Sequence, residues 1–421
     1  MKGQSSPVHA NGFTPPREAI IQAIKRFAPP LYLYDERGIR ASARTLNEAF
    51  AWAPGYRNYF AVKALPNPRI LEILRDEQSG ADTSSGPELA LAERAGITGS
   101  RVMFTSNDTP AEEFRRAAAL GAIINFDDLT HIGYYREHLG NLPETACVRY
   151  NPGRLKGGNE MIGLPEEAKF GMTATQLPEA YRQLKAGGVQ RFGMHTMVAS
   201  NEVRADYFAE TARILFAEAQ RVMKETGVTL SFINLGGGFG IPYEPGQQPI
   251  DVGRVTELIK SAYREAFGTE GPEIFTEMGR FVVGPHGVLL ATVRHVMQKH
   301  RQVVGVDATM ADLMRPSLYG AYHHITVLGK EDAPATETYD VAGSLCENND
   351  KFAIQRKLPK VVPGDVLVIH DTGAHGRAMG FNYNGKLRCG EALLREDGSL
   401  ELIRRAETED DLFATLDVSH A

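Results

Sequence analysis

Cysteine and tryptophan are scarce in this chain of 421 residues, which contains three cysteines and one tryptophan. The cysteines, Cys147, Cys346 and Cys389, form no CxxC pair. An odd and widely spaced set of thiols favours a reducing compartment over a disulfide framework. We therefore expect a cytoplasmic protein, and we expect no bound metal.

Positive charge and long apolar runs are also lacking. The formal net charge is −6 at pH 7, and no run of lysine and arginine is long enough to indicate a nucleic-acid site. No apolar run is long enough to span a bilayer. Residues 1–16 are polar and lack the pattern of a secretory signal, so we interpret them as a flexible leader. These absences argue against nucleic-acid and membrane partners.

What the chain does contain is a regular alternation of short apolar strands and helical patterns from about residue 38. The pattern predicts eight strands with seven helical stretches between them, and an irregular loop in the longer gap at 151–189. Eight strand–helix repeats favour a closed (β/α)8 TIM-type barrel, with an open doubly wound sheet as the alternative. The predicted strands lie near residues 58–64, 79–83, 101–105, 121–126, 145–150, 190–196, 229–235 and 273–277.

After about residue 285 the pattern changes, because strands continue while long helical patterns become rare. This change predicts a barrel domain over residues 38–285 and a C-terminal β-rich domain over 286–421, completed by a strand at 31–34. The predicted later strands are Val288–Met297, Gln302–Val306, His324–Leu328, Glu337–Ala342, Val366–His370 and Leu400–Arg404.

Lys63 ends the first apolar strand of the barrel and is followed directly by turn residues. A lysine is rarely buried without a partner or a function. Burial would lower the pKa of its amine and favour the free base, as a covalent amine nucleophile requires. The alternative interpretation is a lysine at a strand edge that extends to solvent.

Two further strand ends carry residues that could take part in binding or catalysis. Barrel enzymes place their catalytic residues at this end of the strands. Gly236, Gly237 and Gly238 follow the seventh strand, where backbone N–H groups can approach a phosphate; the alternative is a flexible turn. Glu277 follows the eighth strand and could pair with a pyridine nitrogen, or simply form a cap or a salt bridge. A lysine, a phosphate loop and a carboxylate at separate strand ends favour pyridoxal 5'-phosphate as cofactor.

Several motifs, in this order along residues 30–395, resemble those of the pyridoxal-phosphate decarboxylases with an alanine-racemase-like barrel. Within that class the chain resembles the diaminopimelate decarboxylase family. The resemblance implies a (β/α)8 barrel followed by a β-domain, in agreement with the strand pattern. The matching stretches are Tyr59–Ala64, Ala81–Leu89, Lys169–Gly171, Leu235–Tyr243, Glu277–Arg280, Arg315–Tyr319, Cys346–Asp350 and Asn382–Asn384.

The resemblance also implies residue roles. Lys63 would form the Schiff base with the cofactor, Ser200 and Gly236–Gly238 would bind its phosphate, and Glu277 would pair with its ring nitrogen. Arg280, Arg315 and Tyr319 would hold the distal carboxylate of the substrate, since a guanidinium grips a carboxylate bidentately. Glu347 would accept the distal ammonium. Cys346 would be donated across a homodimer with shared active sites and would protonate the carbanion.

Two positions depart from the family pattern. Met197 occupies the place of the histidine that stacks on the cofactor ring, and His195 lies two residues earlier. Either the thioether of Met197 covers the ring, or His195 reaches in from a shifted loop. His375 stands where the family has a tyrosine near the phosphate or substrate. We therefore include His195, Met197 and His375 among the candidate cofactor-binding residues.

The expected activity is decarboxylation of a diamino acid, with meso-diaminopimelate giving L-lysine, as in lysine biosynthesis. D-Lysine and D-ornithine are alternative substrates, although neither has a distal carboxylate for Arg280 and Arg315. An amino-acid racemase and an inactive paralogue that binds the cofactor are the remaining alternatives. The motifs at Cys346 and Arg315 argue against the racemase.

Overall fold

The computed structural model describes residues 12–159 and 161–417. The chain divides into two compact units. The barrel unit comprises residues 40–241 and 248–281, and the β-rich unit comprises the described residues up to 39 together with 242–247 and 282–417. None of the helices in these ranges combines the length and apolar character of a transmembrane span.

The chain begins with helix α1 (Arg17–Phe27), strand β1 (Leu31–Asp35) and helix α2 (Glu36–Ala49). Within the predicted leader, the Phe13 backbone N–H donates to the Pro285 carbonyl oxygen over 2.8 Å. The Phe13 side chain packs against the apolar core of the β-rich unit. Residues 1–11 lie outside the described residues, so the leader as a whole stays a prediction.

Eight parallel strands close into a barrel in which each strand pairs with the next along the chain. The ring is closed by the first and last strands, with Arg57 opposite Phe275 and Asn58 opposite Thr276. This closure confirms the TIM-type barrel and rules out the open doubly wound sheet. The strands are β2 (Arg57–Ala61), β3 (Gly80–Thr83), β4 (Val102–Thr105), β5 (Ile123–Phe126), β6 (Thr145–Arg149), β7 (Arg191–His195), β8 (Leu230–Asn234) and β9 (Glu273–Thr276).

Seven α-helices connect these strands, as the alternation predicts. Side-chain caps begin four of them. In the first, Asn67 accepts the Arg69 N–H over 3.0 Å, and Pro68 occupies the first helical position. The gap before the fifth helix contains two short 3-10 turns and otherwise irregular backbone. The helices are α3 (Pro68–Asp76), α4 (Gly86–Arg94), α5 (Ala111–Leu120), α6 (Leu129–Leu139), α7 (Leu177–Ala186), α8 (Ala205–Thr226) and α9 (Val252–Phe267).

Aromatic and apolar side chains fill the barrel interior. Phe232 stacks on Phe275 with ring centroids 4.8 Å apart, and Tyr59 lies 5.1 Å from Phe275. Gly193 on β7 makes room for this packing, because a Cβ there would lie 2.1 Å from the Phe232 ring. Cys147 is buried in the same cluster, and burial raises the pKa of its thiol. Cys147 is therefore a core residue. The polar candidate residues of the barrel lie at the strand ends.

Nine strands form one sheet in the β-rich unit, in the order β14-β13-β11-β10-β1-β16-β17, with β15 paired to β10 and β12. Strand β1 pairs antiparallel with β10 and parallel with β16, so residues 31–35 belong to this sheet. The strands are β10 (Gly287–Gln298), β11 (Gln302–Val306), β12 (Ile325–Val327), β13 (Glu337–Ala342), β14 (Lys351–Leu358), β15 (Val366–Ile369), β16 (Gly390–Leu394) and β17 (Leu400–Arg404), and the short helices are α10 (Arg280–Val283), α11 (Arg315–Tyr319) and α12 (Glu409–Phe413).

Two of these strands, β14 and β16, were not predicted from the sequence. Strand β14 carries several charged side chains and a residue with positive φ, Gln355 at 49°, so its two-residue alternation is broken. Strand β16 consists mainly of helix-forming residues. It is nevertheless a buried strand, because pairing with β1 and β17 on both sides outweighs local propensity.

Candidate active site

Lys63 lies at the carboxyl end of β2, on the short 3-10 turn Val62–Ala64. Its side chain is exposed, so the expectation of a buried lysine is wrong. The strand ends at Ala61, and the turn carries Lys63 out of the barrel core. Burial raises the pKa values of the nearby Asp82 and Glu88, and the positive charge of Lys63 opposes that rise. The same charge contributes to the lowered pKa of Glu277. The exposed amine therefore lies close enough to these three carboxyl groups to influence their pKa values.

Glu277 follows β9 and is buried at 8% exposure. Asn234 donates its amide N–H to Oε1 over 2.7 Å. Burial alone would raise the pKa of Glu277, but the neighbouring His195 ring and the positive charges of Arg149 and Lys63 outweigh it and hold the pKa below its usual value. Glu277 is thus a buried, ionised carboxylate, which is the state required to pair with a protonated pyridine nitrogen.

Asp82, at the end of β3, behaves in the opposite way. Burial and the negative charge of Glu277 raise its pKa well above the usual value. Its buried Oδ1 has no hydrogen-bond partner among the described residues. The pKa values of the two carboxyl groups are therefore pushed apart, that of Glu277 downward and that of Asp82 upward. The buried, unpartnered Oδ1 of Asp82 is available to a polar ligand.

His195 is the last residue of β7 and its side chain is fully buried. The Asn125 amide donates to Nδ1 over 3.0 Å, and Nε2 lies 3.2 Å from Glu277 Oε2. Because an amide N–H only donates, Nδ1 accepts and the ring proton is on Nε2. His195 thus supports Glu277 from within the barrel and does not reach in from a shifted loop. Its contact with the cofactor stays a prediction.

Met197 lies against the glycine loop that follows β8. The Gly237 N–H donates to the Met197 sulfur over 3.2 Å, and the Gly236 N–H donates to Asn234 Oδ1 over 2.9 Å. Gly236 and Gly238 have φ of 71° and 109°. A Cβ at Gly236 would lie 2.2 Å from the Thr196 carbonyl oxygen, and one at Gly237 would lie 2.5 Å from that of Glu277. Only glycine fits this loop, which brings backbone N–H groups next to Met197.

Ser200 is half-buried after β7, and its N–H donates to Asn159 Oδ1 over 3.1 Å. Arg280, at the start of α10, is buried at 8% exposure. Both belong to the barrel unit with Lys63, His195 and Glu277. Their predicted contacts with phosphate and with substrate stay predictions.

Arg149 was missed by the sequence analysis. It is the last residue of β6 and is buried at 7% exposure. Its Nη1 lies 3.2 Å from Asp127, and its guanidinium stacks on the Phe170 ring at 4.0 Å. Its charge contributes to the lowered pKa of Glu277. Its position as a charged residue at a barrel strand end could have identified it, since the same rule selected Lys63 and Glu277.

Five of the candidate residues lie in the β-rich unit. Arg315 is buried on α11, whereas Tyr319 at the end of that helix is exposed. Cys346 is exposed, and its N–H donates to Asn384 Oδ1 over 2.7 Å. Glu347 is half-buried and accepts the Asn349 N–H over 3.1 Å. His375 is half-buried with φ of 54°.

Asp371 lies in the same loop as His375, and burial raises its pKa to about 7. In the unfolded chain the carboxyl titrates near 3.8. Between pH 3.8 and about pH 7 the folded state therefore binds more protons than the unfolded state. Because of this difference, the free energy of unfolding falls as the pH rises through that range. From the two pKa values, the loss amounts to roughly 4 kcal/mol once the pH exceeds about 7.

Asp371→Asn is expected to remove this pH dependence. Asparagine tolerates the positive φ of 57° at this position. Relative to wild type, the free energy of unfolding of the variant should therefore increase by roughly 4 kcal/mol between pH 4 and pH 8. Urea unfolding at several pH values across that range measures this change. The exposed Asp332→Asn is the control and should follow the wild type. A constant offset between Asp371→Asn and wild type at all pH values would contradict the assignment.

The barrel residues fit pyridoxal phosphate in three respects. Glu277 is ionised and buried, the glycine loop has room for backbone contacts only, and Asp82 Oδ1 is a buried polar atom without a partner. A metal site finds no comparable support, because the described residues contain no cluster of His, Cys, Asp and Glu able to hold an ion.

Comparison with known proteins identifies the family. Residues 36–284 match the model of the pyridoxal-dependent decarboxylase pyridoxal-binding domain. Protein TabA of Pseudomonas amygdali pv. tabaci is 43% identical over 91% of this chain and 90% of its own. Diaminopimelate decarboxylase of Methanothermobacter thermautotrophicus is 35% identical over 93% of this chain and 92% of its own.

The solved structures agree with this result. The diaminopimelate decarboxylase of M. jannaschii in complex with L-lysine superposes with a TM-score of 0.86 at 30% identity, covering 95% of this chain and 94% of that one. The barrel with its separate β-rich sheet, the pyridoxal-binding domain and these near full-length similarities lead to one conclusion. The chain belongs to the diaminopimelate decarboxylase family of pyridoxal-phosphate-dependent amino-acid decarboxylases.

Proposed function

We propose that this enzyme decarboxylates meso-diaminopimelate at its D-configured centre to give L-lysine and carbon dioxide, as a cytoplasmic homodimer with shared active sites. The observation that carries the substrate assignment is Arg315. Its guanidinium is buried, lies 4.6 Å from the Tyr243 ring centroid and donates to His323 Nε2 over 3.0 Å. A fixed, buried cation suits a carboxylate, and meso-diaminopimelate has a distal carboxylate that D-lysine and D-ornithine lack.

In the proposed reaction, Lys63 would hold the cofactor covalently through its amine. Glu277 keeps the pyridine nitrogen protonated, while Gly236–Gly238, Ser200, Met197 and His375 bind and orient the remainder of the cofactor. The bound cofactor accepts the electron pair released when the bond from Cα to the carboxylate breaks. Cys346 or Lys63 then returns a proton to Cα.

The remaining proposed roles concern substrate recognition. Arg315 and Tyr319 of the β-rich unit hold the distal carboxylate, Arg280 of the barrel unit contributes to the same recognition, and Glu347 accepts the distal ammonium. Because Protein TabA is more similar to this chain than the diaminopimelate decarboxylases compared above, the assay needs a panel of substrates. Carbon dioxide release should be measured with meso-diaminopimelate, D-lysine, D-ornithine, L-lysine, L-ornithine and L-arginine, and we expect fast turnover of the first alone.

Arg315→Ala is expected to raise KM for meso-diaminopimelate by about 10- to 100-fold, because hydrogen bonds to a charged group contribute roughly 1.5–3 kcal/mol. Initial rates of carbon dioxide release measure this change. The matched control is Arg294→Ala, an exposed arginine on β10 of the same unit, which should leave KM unchanged. An Arg315→Ala enzyme with wild-type KM would refute the carboxylate assignment, and faster wild-type turnover of D-lysine or D-ornithine would refute the proposed substrate.

A further inference from the structure

His323 is buried at 0% exposure and contacts Arg315. Arg315 Nη1 lies 3.0 Å from His323 Nε2, and His323 Nδ1 lies 2.8 Å from the His370 carbonyl oxygen. A carbonyl oxygen only accepts, so Nδ1 must carry the ring proton. A guanidinium N–H only donates, so Nε2 must present its lone pair. Both contacts therefore require the same neutral tautomer of His323.

The position of this imidazole is itself fixed on several sides. Arg356 donates to the His323 carbonyl oxygen over 2.8 Å, and the His370 N–H donates to the His324 carbonyl oxygen over 2.9 Å. The Tyr243 ring meets the His323 ring edge-on, with centroids 5.2 Å apart and planes at 73°. Because backbone and aromatic contacts hold the ring, its Nε2 is a stationary acceptor for Arg315.

A neutral acceptor has a consequence that a carboxylate would not have. A buried Asp or Glu at this position would orient the guanidinium and would also neutralise its charge. The imidazole orients one N–H of Arg315 without supplying negative charge, and Tyr243 covers one guanidinium face at 4.6 Å. These two contacts set the plane of the guanidinium, and the imidazole adds no charge of its own.

We propose that His323 is a positioning residue for substrate specificity, which holds Arg315 in the orientation that grips the distal carboxylate of the substrate. The proposal rests on the function proposed above, in which Arg315 binds that carboxylate. It assigns to His323 no contact with substrate and no proton transfer. Its effect should therefore appear in substrate binding rather than in the chemical step.

Two substitutions separate the two hydrogen bonds of the ring. In His323→Asn the side-chain amide overlaps Nδ1 and keeps the bond to the His370 carbonyl oxygen, but nothing reaches Arg315. In His323→Gln the amide oxygen overlaps Nε2 and can accept from Arg315, while the bond to His370 is lost. If His323 acts by positioning Arg315, the Gln variant should retain function that the Asn variant loses.

The test uses each purified holoenzyme, with meso-diaminopimelate as substrate and its product L-lysine, which retains the distal carboxylate, as competitive inhibitor. For His323→Asn we expect KM and the L-lysine inhibition constant to rise about 10-fold with kcat within about twofold, the loss of one hydrogen bond to a charged group. For His323→Gln we expect both constants within about threefold of wild type.

Equal losses in the Asn and Gln variants would mean that His323 merely supports the fold, and the proposal would be wrong. A fall in kcat with unchanged KM would overturn it as well. If Arg315→Ala raises KM but His323→Asn does not, this inference fails while the proposed function stands. A wild-type enzyme that releases no carbon dioxide from meso-diaminopimelate would refute the proposed function, and the inference with it.

Discussion

Replacing Lys63 with alanine is expected to lower carbon dioxide release from meso-diaminopimelate by roughly 10³-fold or more. The lysine is proposed to bind the cofactor covalently and to move a proton, and general acid–base catalysis alone contributes roughly 10²–10⁴-fold. Because the side chain is exposed on a turn outside the barrel core, the substitution should leave the fold intact. Thermal unfolding of the variant at the wild-type temperature would verify this.

Two further variants separate chemistry from charge. Lys63→Arg keeps a positive charge near Asp82, Glu88 and Glu277. A guanidinium does not replace the amine nucleophile, so this variant should be equally inactive. Lys224→Ala removes an exposed lysine on α8 and should behave as wild type. Borohydride reduction followed by mass spectrometry should attach the cofactor to wild type and to neither Lys63 variant. A tenth of the wild-type activity in Lys63→Ala would contradict the assignment.

The Lys63 variant also tests whether the active site is shared between two chains. If Cys346 is contributed across a homodimer, mixing Lys63→Ala with Cys346→Ala should restore about a quarter of the wild-type activity. Half of randomly associated dimers are then mixed, and each mixed dimer has one intact site of two. No recovery on mixing, under conditions in which dimers exchange subunits, would mean that both residues act within one chain.

The barrel was predictable because its signals are local and repeat. Most strands from β2 to β9 contain a short apolar run, and seven helical stretches separate them. The rule that chemistry lies at the carboxyl ends of such strands then selected Lys63, the glycine loop and Glu277 without any coordinates. The number of strand–helix repeats, eight, predicted closure into a ring, and the pairing of β9 with β2 confirms it.

Burial and pairing were less predictable, because they depend on contacts between residues far apart in the sequence. The sequence placed Lys63 at a strand end but could not show that the strand stops at Ala61 and leaves the amine exposed. Asp82 was read only as part of a motif, since its raised pKa depends on Glu277, 195 positions later. His195 was considered as a ring-stacking residue, whereas its contacts are with Asn125 and Glu277.

Glu277→Gln is expected to lower kcat by roughly 10²–10³-fold, the size of effect seen when one preorganised electrostatic contact is removed from an active site. Glutamine has the same shape and can still accept the Asn234 N–H that now reaches Oε1 over 2.7 Å. It cannot carry the negative charge that the site maintains despite burial. The pyridine nitrogen would then lose the partner that keeps it protonated, and carbon–carboxylate cleavage would lose most of its electron sink.

The same variant has a signature that does not depend on turnover. The absorbance spectrum of the bound cofactor, followed as a function of pH, should shift because its ring nitrogen is no longer paired with a carboxylate. Glu257→Gln, an exposed change on α9, should leave both the spectrum and kcat unaltered. A Glu277→Gln enzyme with half the wild-type kcat and an unchanged titration would show that Glu277 does not pair with the ring.

Glu277 also determines the protonation state of its neighbour, because its negative charge is, after burial, the largest contribution that raises the pKa of Asp82. In Glu277→Gln the pKa of Asp82 should therefore fall, although burial still holds it above the ordinary range. Infrared difference spectra of the Asp82 carboxyl should detect this fall as a protonated C=O band that disappears at lower pH than in wild type. The substitution therefore removes the charge of Glu277 and also lowers the pKa of Asp82, so the large effect expected on kcat has two electrostatic causes.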